Sequence, residues 1–262
     1  MPTSALHVAR TGLEAQDTRM RVIANNLANV GTTGFKRDRA NFATLAYQDA
    51  RVAGQQSSGE TAYATGLNLG TGVAVQSTSR IETQGSLQTT DNALDFALDG
   101  DGYFQVQLPG GQLGYTRAGN FSRSAEGQLV TAQGFALQPP VTIPEGASAI
   151  AVAADGTVSA QIAGSAEASS LGQVTIASFA NPAGLQAHGD NFLLETGASG
   201  AAQIGVAGEG GRGRIRQGML ESSNVNVVEE LVDMIECQRA YEINSKMISA
   251  VDEMLKNANQ TL

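Results

Sequence analysis

Tryptophan is absent from this 262-residue chain, which also has one Cys, two His and only 5% aromatic residues. The lone Cys237 cannot close an intrachain disulfide, so a disulfide-stapled scaffold is excluded. His7 and His188 are too far apart in sequence for zinc-ligand spacing, and with Cys237 they suggest no Cys–His nucleophilic pair. Positive charge is scarce: 16 Lys+Arg against 25 Asp+Glu leave a formal charge of −9. That balance argues against nucleic acid, which needs a basic stripe to displace counterions from phosphates. No run approaches the ~18–20 apolar residues of a membrane-spanning helix, so membrane insertion is not expected. The first thirty residues lack a secretory leader pattern, since Arg10, Arg19 and Arg21 interrupt them. The expectation is therefore export, if any, by a route without a cleaved signal peptide. Sparse aromatic residues also weigh against the bulky-lined pocket of an enzyme and toward a structural or binding role.

What is present divides into three parts. Near the N-terminus, Leu6, Leu13, Met20 and Leu27 recur every seven residues, with Ala9, Gln16, Ile23 and Val30 three positions behind. This predicts a helix from about Ser4, as N-cap, to Val30, with a heptad seam interrupted by Gln16. Gly31 and Gly34 are read as its stop. Near the C-terminus, Asn226 and Glu229 have capping-box spacing, and Lys256 suits a final turn. Val227, Met234, Tyr241, Ile248 and Leu255 repeat every seven residues, with Cys237, Asn244, Val251 and Ala258 behind them. A polar Asn244 in such a seam is the kind of residue that fixes register at some cost in stability.

The middle reads as antiparallel sheet. Phe104, Val106 and Leu108 alternate with polar residues before a Pro109-Gly110-Gly111 turn. Further turns are predicted at Glu126-Gly127, Gln133-Gly134 and Asp155-Gly156. The Gly-, Ser-, Gln- and Ala-rich stretch 54–72 reads as an extended, loosely ordered insertion, and 163–170 is similar. Gly208 to Gly213 fits G-x-G-x-x-G, but the residues after it alternate like a strand and cannot open the helix a dinucleotide site needs. Asp99-Gly100-Asp101-Gly102 fails as a calcium loop, because Ala97 and Leu108 stand where ligands are required. No catalytic residue, metal or cofactor is expected.

Both chain ends resemble the axial proteins of the bacterial flagellum, the rod and hook family. The N-terminal resemblance lies in Ile23 to Lys36 (IANNLANVGTTGFK), the C-terminal one in Gln217 to Leu231 (QGMLESSNVNVVEEL) and Ala240 to Lys246 (AYEINSK). Asp99 to Phe104 (DGDGYF), Tyr115 to Phe121 (YTRAGNF) and Gly127 to Thr131 (GQLVT) extend it through the middle. Within that family, the length and the stretch Leu67 to Val73 (LNLGTGV) point to the distal rod.

The resemblance implies an α+β fold in which long N- and C-terminal helices form a coiled-coil core domain and a β-rich region is inserted between them. The corresponding division is 1–34 with 224–262 as helical core, 35–90 with 201–223 as a connecting β-rich or extended region, and 91–200 as a central β domain. It implies a subunit interface in the helical core made of Leu6, Leu13, Met20, Ile23, Asn26, Leu27, Val30, Phe35, Leu231, Met234, Tyr241, Asn244, Ile248, Val251 and Leu255. The implied function is a non-enzymatic subunit of the distal rod, a hollow helical homopolymer that crosses the periplasm and transmits torque to the hook. Implied partners are further copies of itself, proximal rod proteins, a hook or hook-junction protein, the surrounding bushing rings and the flagellar export apparatus. The location is the basal body, from periplasm to outer membrane. A proximal rod or hook-type protein is the alternative within the family. A secreted β-rich binding module trimerised by its helices, or a cell-wall enzyme, is the alternative outside it. Residues 1–46 hold six basic and three acidic groups and residues 219–262 hold three and eight, so pairing between unlike ends is expected.

Overall fold

The computed structural model describes residues 2–58, 61–162 and 168–260. The architecture is α+β: helices α1 (Pro2–Ala28) and α2 (Val227–Gln260) flank a β-rich region. Helix α1 begins earlier than Ser4, because Pro2 has the fixed φ that suits a first helical turn. It also ends earlier than Val30. The chain divides into two compact units: one comprises α1 through Leu27, Asp38–Ser79 and α2, the other Ala28–Arg37 and Arg80–Val225.

In the helical unit, the strands form nested pairs. Strand β1 (Asp38–Thr44) pairs with β6 (Val73–Arg80), and β2 (Tyr47–Arg51) runs antiparallel to β5 (Leu67–Gly70). Between them β3 (Gln56–Ser58) pairs with β4 (Thr61–Ala62). The stretch 54–72 is thus largely a β-ribbon rather than a loose insertion, with residues 59–60 outside the described residues. Its low apolar content reflects exposure on both faces, since every residue of β5 is exposed. The Arg51 guanidinium lies 4.2 Å from the Tyr63 ring centroid, a cation–π contact that joins the two arms of the ribbon. Of the similar stretch 163–170, residues 163–167 lie outside the described residues, and a strand resumes at Ala168.

The second unit is built on an antiparallel sheet. Its strand order is Gln186–Gly189, Phe192–Leu194, β10 (Leu113–Thr116), β9 (Tyr103–Gln107), Thr175–Ser178 and Gln203–Val206, with Leu137–Gln138 also paired to β9. The earlier strands β7 (Leu87–Thr89) and β8 (Phe96–Asp99) pair with Met219–Glu221 and Arg214–Gln217. The turn predicted at Gly110-Gly111 joins β9 to β10, with both glycines in the left-handed region. Strand β9 is buried on both faces, which the alternating sequence did not foretell. Phe104 and Val106 enter a core with Phe96, Phe121, Leu129 and Ile176, where Phe104 meets Phe121 edge-on at 5.3 Å. Tyr103 faces a second cluster with Tyr115, Leu185 and Leu193. The G-x-G-x-x-G stretch is a turn between the strands Gln203–Val206 and Arg214–Gln217, closed by a Gly208 N–H to Gly213 carbonyl bond of 3.0 Å.

A buried ionic cluster ties three separate passes of the chain together in this unit, with Arg117 reaching in from a fourth. The carboxylate of Glu221 is fully buried. It accepts hydrogen bonds from Lys36 Nζ at 2.5 Å, from the Gly85 N–H at 2.9 Å and from Arg117 Nη1 at 3.4 Å. Lys36 also donates to the Thr83 carbonyl and Arg117 to the Gly100 carbonyl, both at 2.8 Å. Burial pushes the Lys36 ammonium below the usual lysine value, against the opposing pull of Glu221. Asn224 repeats the pattern, accepting from the Arg37 N–H and donating to the Ile81 and Thr83 carbonyls. Gly34 explains why glycine stands in this segment. Its φ is +66°, and a Cβ there would lie 2.6 Å from the Arg117 carbonyl carbon. Its role is this close approach and not the stopping of α1, which has already ended at Ala28.

Because removing one member of a buried ion pair strands the other, Glu221→Ala is expected to destabilise this unit by about 3–5 kcal/mol. The shift in urea midpoint, followed by tyrosine fluorescence, checks this. Replacing all three charges together, as Lys36→Met, Arg117→Met and Glu221→Leu, is expected to recover much of the loss. A Glu221→Ala midpoint equal to wild type contradicts the account.

Candidate assembly interface

Helix α2 starts where the sequence places its cap. The Asn226 side chain accepts from the Val228 N–H at 3.1 Å, its carbonyl accepts from the Glu230 N–H, and Glu229 and Glu230 occupy the positive first turn. The helix continues through Gln260, so Lys256 lies a turn in from that residue and the last turn carries no basic group.

One face of α2 meets α1. Asn26 Nδ2 donates to both oxygens of the Glu230 carboxylate at 3.2 Å. Arg19 pairs with Asp233 at 3.0 Å. The Cys237 thiol donates toward the Gln16 carbonyl at 3.1 Å and Gln16 Oε1 at 3.2 Å. Burial pushes that thiol above its ordinary pKa, which keeps it a protonated donor. Gly12 faces Asn244, whose Nδ2 lies 3.2 Å from where a glycine Cβ would be. Residue numbers rise along α1 as they fall along α2, so the two helices run antiparallel.

The opposite face of α2 carries exposed apolar residues, with exposed Arg239 and Lys246 among them. Nine residues span two and a half helical turns, so Val228 points away from Cys237 and Ile235 away from Asn244. Val228, Val232, Ile235, Ile243, Met247 and Met254 form this outer stripe, and all are exposed, Val228 by 69% and Met254 by 62%. Exposed apolar residues scattered singly are unremarkable, but six on one side of a helix, grouped on either side of Arg239, mark an interaction surface.

The residues proposed from the heptad pattern fall in several environments. Ile23 and Asn26 are buried, while Leu6, Leu13, Met20, Leu27, Met234, Asn244, Ile248, Val251 and Leu255 are half-buried. Leu231 and Tyr241 are exposed. Val30 and Phe35 lie beyond the end of α1, half-buried in the other unit. The Ala258 side chain is outside the described residues. The heptad reading passed over Gly12, Arg19, Glu230 and Asp233 because they are not apolar. It also passed over the outer stripe, although a second series at i, i+4 and i+7 from Val228 carries its signal. Among the described residues, no group of three or more His, Cys, Asp or Glu is placed to hold a metal ion, and no helix is long and apolar enough to cross a membrane.

Comparison with known proteins gives these surfaces a context. Residues 6–36 match the family described as flagella basal body rod protein, and 97–160 match the flagellar hook protein FlgE/F/G D1 domain. Residues 216–261 match the flagellar basal body rod FlgEFG protein C-terminal family. The chain is 50% identical over 256 residues to the flagellar basal-body rod protein FlgG of Buchnera aphidicola subsp. Acyrthosiphon pisum, covering 98% of each chain. It is 46% identical over 257 residues to that of Caulobacter vibrioides, again with 98% of each covered. The corresponding protein of Bacillus subtilis is 36% identical over 258 residues, with 96% of each covered. With both helical ends, the β-rich middle and essentially full-length relatives in agreement, the chain belongs to the flagellar basal-body rod protein family.

Proposed function

We propose that this chain is the structural subunit of the flagellar distal rod, self-assembling into a hollow helical drive shaft that transmits torque to the hook while turning inside the outer rings. The full-length likeness to FlgG rod proteins favours the distal rod over a proximal rod or hook-type subunit, and over a trimerised binding module. The observation that carries self-assembly is the uncovered stripe of α2, since apolar side chains gain about 1.5–3 kcal/mol each when buried. In this reading, residues 1–34 and 224–262 supply a coiled-coil core, and the interface draws on the heptad residues from Leu6 to Leu255 together with the outer stripe. Residues 35–90 and 201–223 connect that core to the central β domain, 91–200. The neighbours are further copies, proximal rod proteins, a hook or hook-junction protein and the bushing rings. The subunit travels through the flagellar export apparatus and works between periplasm and outer membrane. No enzymatic step enters this role.

Val232→Glu combined with Ile235→Glu places two charges on the stripe. The variant is expected to lose sedimentable polymer while the β-rich unit keeps its wild-type urea midpoint. Undiminished polymer in sedimentation and electron microscopy contradicts the proposal. The stripe also implies that the terminal helices are more fully formed among neighbours than alone. Circular dichroism at 222 nm is therefore expected to show more helix per residue in polymer than in dilute chain. Equal signals contradict that coupling.

A further inference from the structure

The outer residues explain why α2 is apolar where nothing covers it, but they leave unexplained why its contacts with α1 are so polar between Glu230 and Asn244. A seam built only to be strong would place Leu or Ile at those positions. Instead, four successive contacts between α1 and α2 each involve a polar or glycine residue. They are Gly12 with Asn244, Gln16 with Cys237, Arg19 with Asp233, and Asn26 with Glu230. On α1 the contact positions run from 12 to 26 and on α2 from 230 to 244, so both cover the same stretch of helix with no net drift.

We propose that Gly12 and Asn244, backed by Gln16 and Cys237, are the residues that fix the antiparallel register of the two terminal helices. Gly12 is a notch shaped for Asn244. A Cβ there would already stand 3.2 Å from the amide nitrogen, tighter than ordinary contact, and anything larger forces the amide aside. A slip of seven residues keeps the same helix faces together but fails this match. In one direction Cys237 moves from Gln16 to Ala9, Asn244 meets Ala5 in place of Gly12, and Glu230 exchanges Asn26 for Arg19. In the other Cys237 meets Ile23, and Glu230 passes beyond Ala28, where α1 ends. The apolar positions of the two seams repeat every seven residues and tolerate either slip. Discrimination therefore rests on the polar contacts and the notch. Displacing Cys237 costs it the Gln16 acceptors, and displacing Asn244 sets its amide against a side chain in place of the Gly12 notch.

Cys237, the chain's single cysteine, makes the register measurable. Three full-length variants, Ala9→Cys, Gln16→Cys and Ile23→Cys, are oxidised with copper–phenanthroline, both as soluble chain and as any polymer that forms. Intrachain disulfides are separated from interchain ones on non-reducing gels. With Gly12 and Asn244 intact, Gln16→Cys is expected to close an intrachain disulfide at least about tenfold faster than the other two, since bridging demands close Cα atoms. With Asn244→Leu, the preference is expected to spread to Ala9→Cys and Ile23→Cys while dichroism shows the helices retained. Asn244→Ala, a strong helix former, provides the same reading if Asn244→Leu loses helix. Equal rates at all three positions in the native background overturn the proposal, as do interchain products only. An undiminished Gln16→Cys preference after both Asn244 substitutions also overturns it. The readout needs no polymer, so failure of the rod assignment and failure of the register assignment are distinguishable.

Discussion

The antiparallel contact of α1 with α2 governs the helical unit, because it decides which surface of each helix remains available. Helix α2 has two unlike faces, and only the polar, small-residue face is used within the chain. The interactions there are individually modest. A half-exposed pair such as Arg19 with Asp233 contributes between nothing and about 1 kcal/mol. A neutral hydrogen bond contributes about 1 kcal/mol. Of the apolar residues, which offer more per side chain, Ile248, Val251 and Leu255 are half-buried, while Val228, Val232, Ile235, Ile243, Met247 and Met254 remain exposed. Intrachain pairing thus supplies geometry more than strength, and the larger free energy is held for whatever covers the stripe. Such an arrangement suits a subunit whose helices have to pair in one way but complete their burial only among neighbours.

The second unit resolves a different constraint. Its chain passes the same region three times, through residues 28–37, 80–85 and 218–225, and none of these passes is long enough to build a core of its own. Glu221 and Asn224 supply hydrogen-bonding partners that all three segments share. Replacing a buried ion pair by apolar residues is often neutral or stabilising, so burying one is weak evidence for added stability. What these charges add here is uniqueness. Lys36 and Glu221 lose their partners in any other arrangement of the three segments, as does Arg117, which reaches Glu221 from a fourth, while an apolar cluster would accept several.

Different parts of this molecule were legible in the sequence to very different degrees. The two helices announced themselves through heptads, the α2 cap through Asn226, and the β9–β10 turn through paired glycines. Each of these signals is local. The Glu221 cluster has none, because its members are scattered over 185 residues of sequence and look like ordinary surface charges. Gly34 was recognisable as special but assigned to the wrong cause, since only the fold brings the Arg117 backbone against it. The outer stripe was missed for a subtler reason. A heptad search that finds one seam treats the remaining apolar residues as tolerated exposure, and Val228, Val232 and Ile235 were absorbed into that background. The β-ribbon of 54–72 was read as loose because both its faces are exposed, leaving no alternation to detect.

The charge asymmetry between the chain ends also acquires a more specific meaning. It does little to hold α1 to α2, since Arg10 and Arg21 pair with Glu14 and Asp17 within α1, while Arg19 reaches across to Asp233. Exposed Glu229, Glu236, Glu242 and Glu253 instead lie on the solvent side of α2 along with the apolar residues, and so do exposed Arg239 and Lys246. With four carboxylates against two cations on that face, two copies bringing it face to face meet a net repulsion that Arg239 and Lys246 offset only in part. A contact between the stripe of one copy and a different, less acidic surface of the next avoids it. Contacts of that head-to-tail kind do not close on themselves unless their rotation completes a ring, and they otherwise propagate as helical filaments. In the proposed rod, the acidity of α2 therefore works against the closed dimer that an apolar helix of this length would readily form.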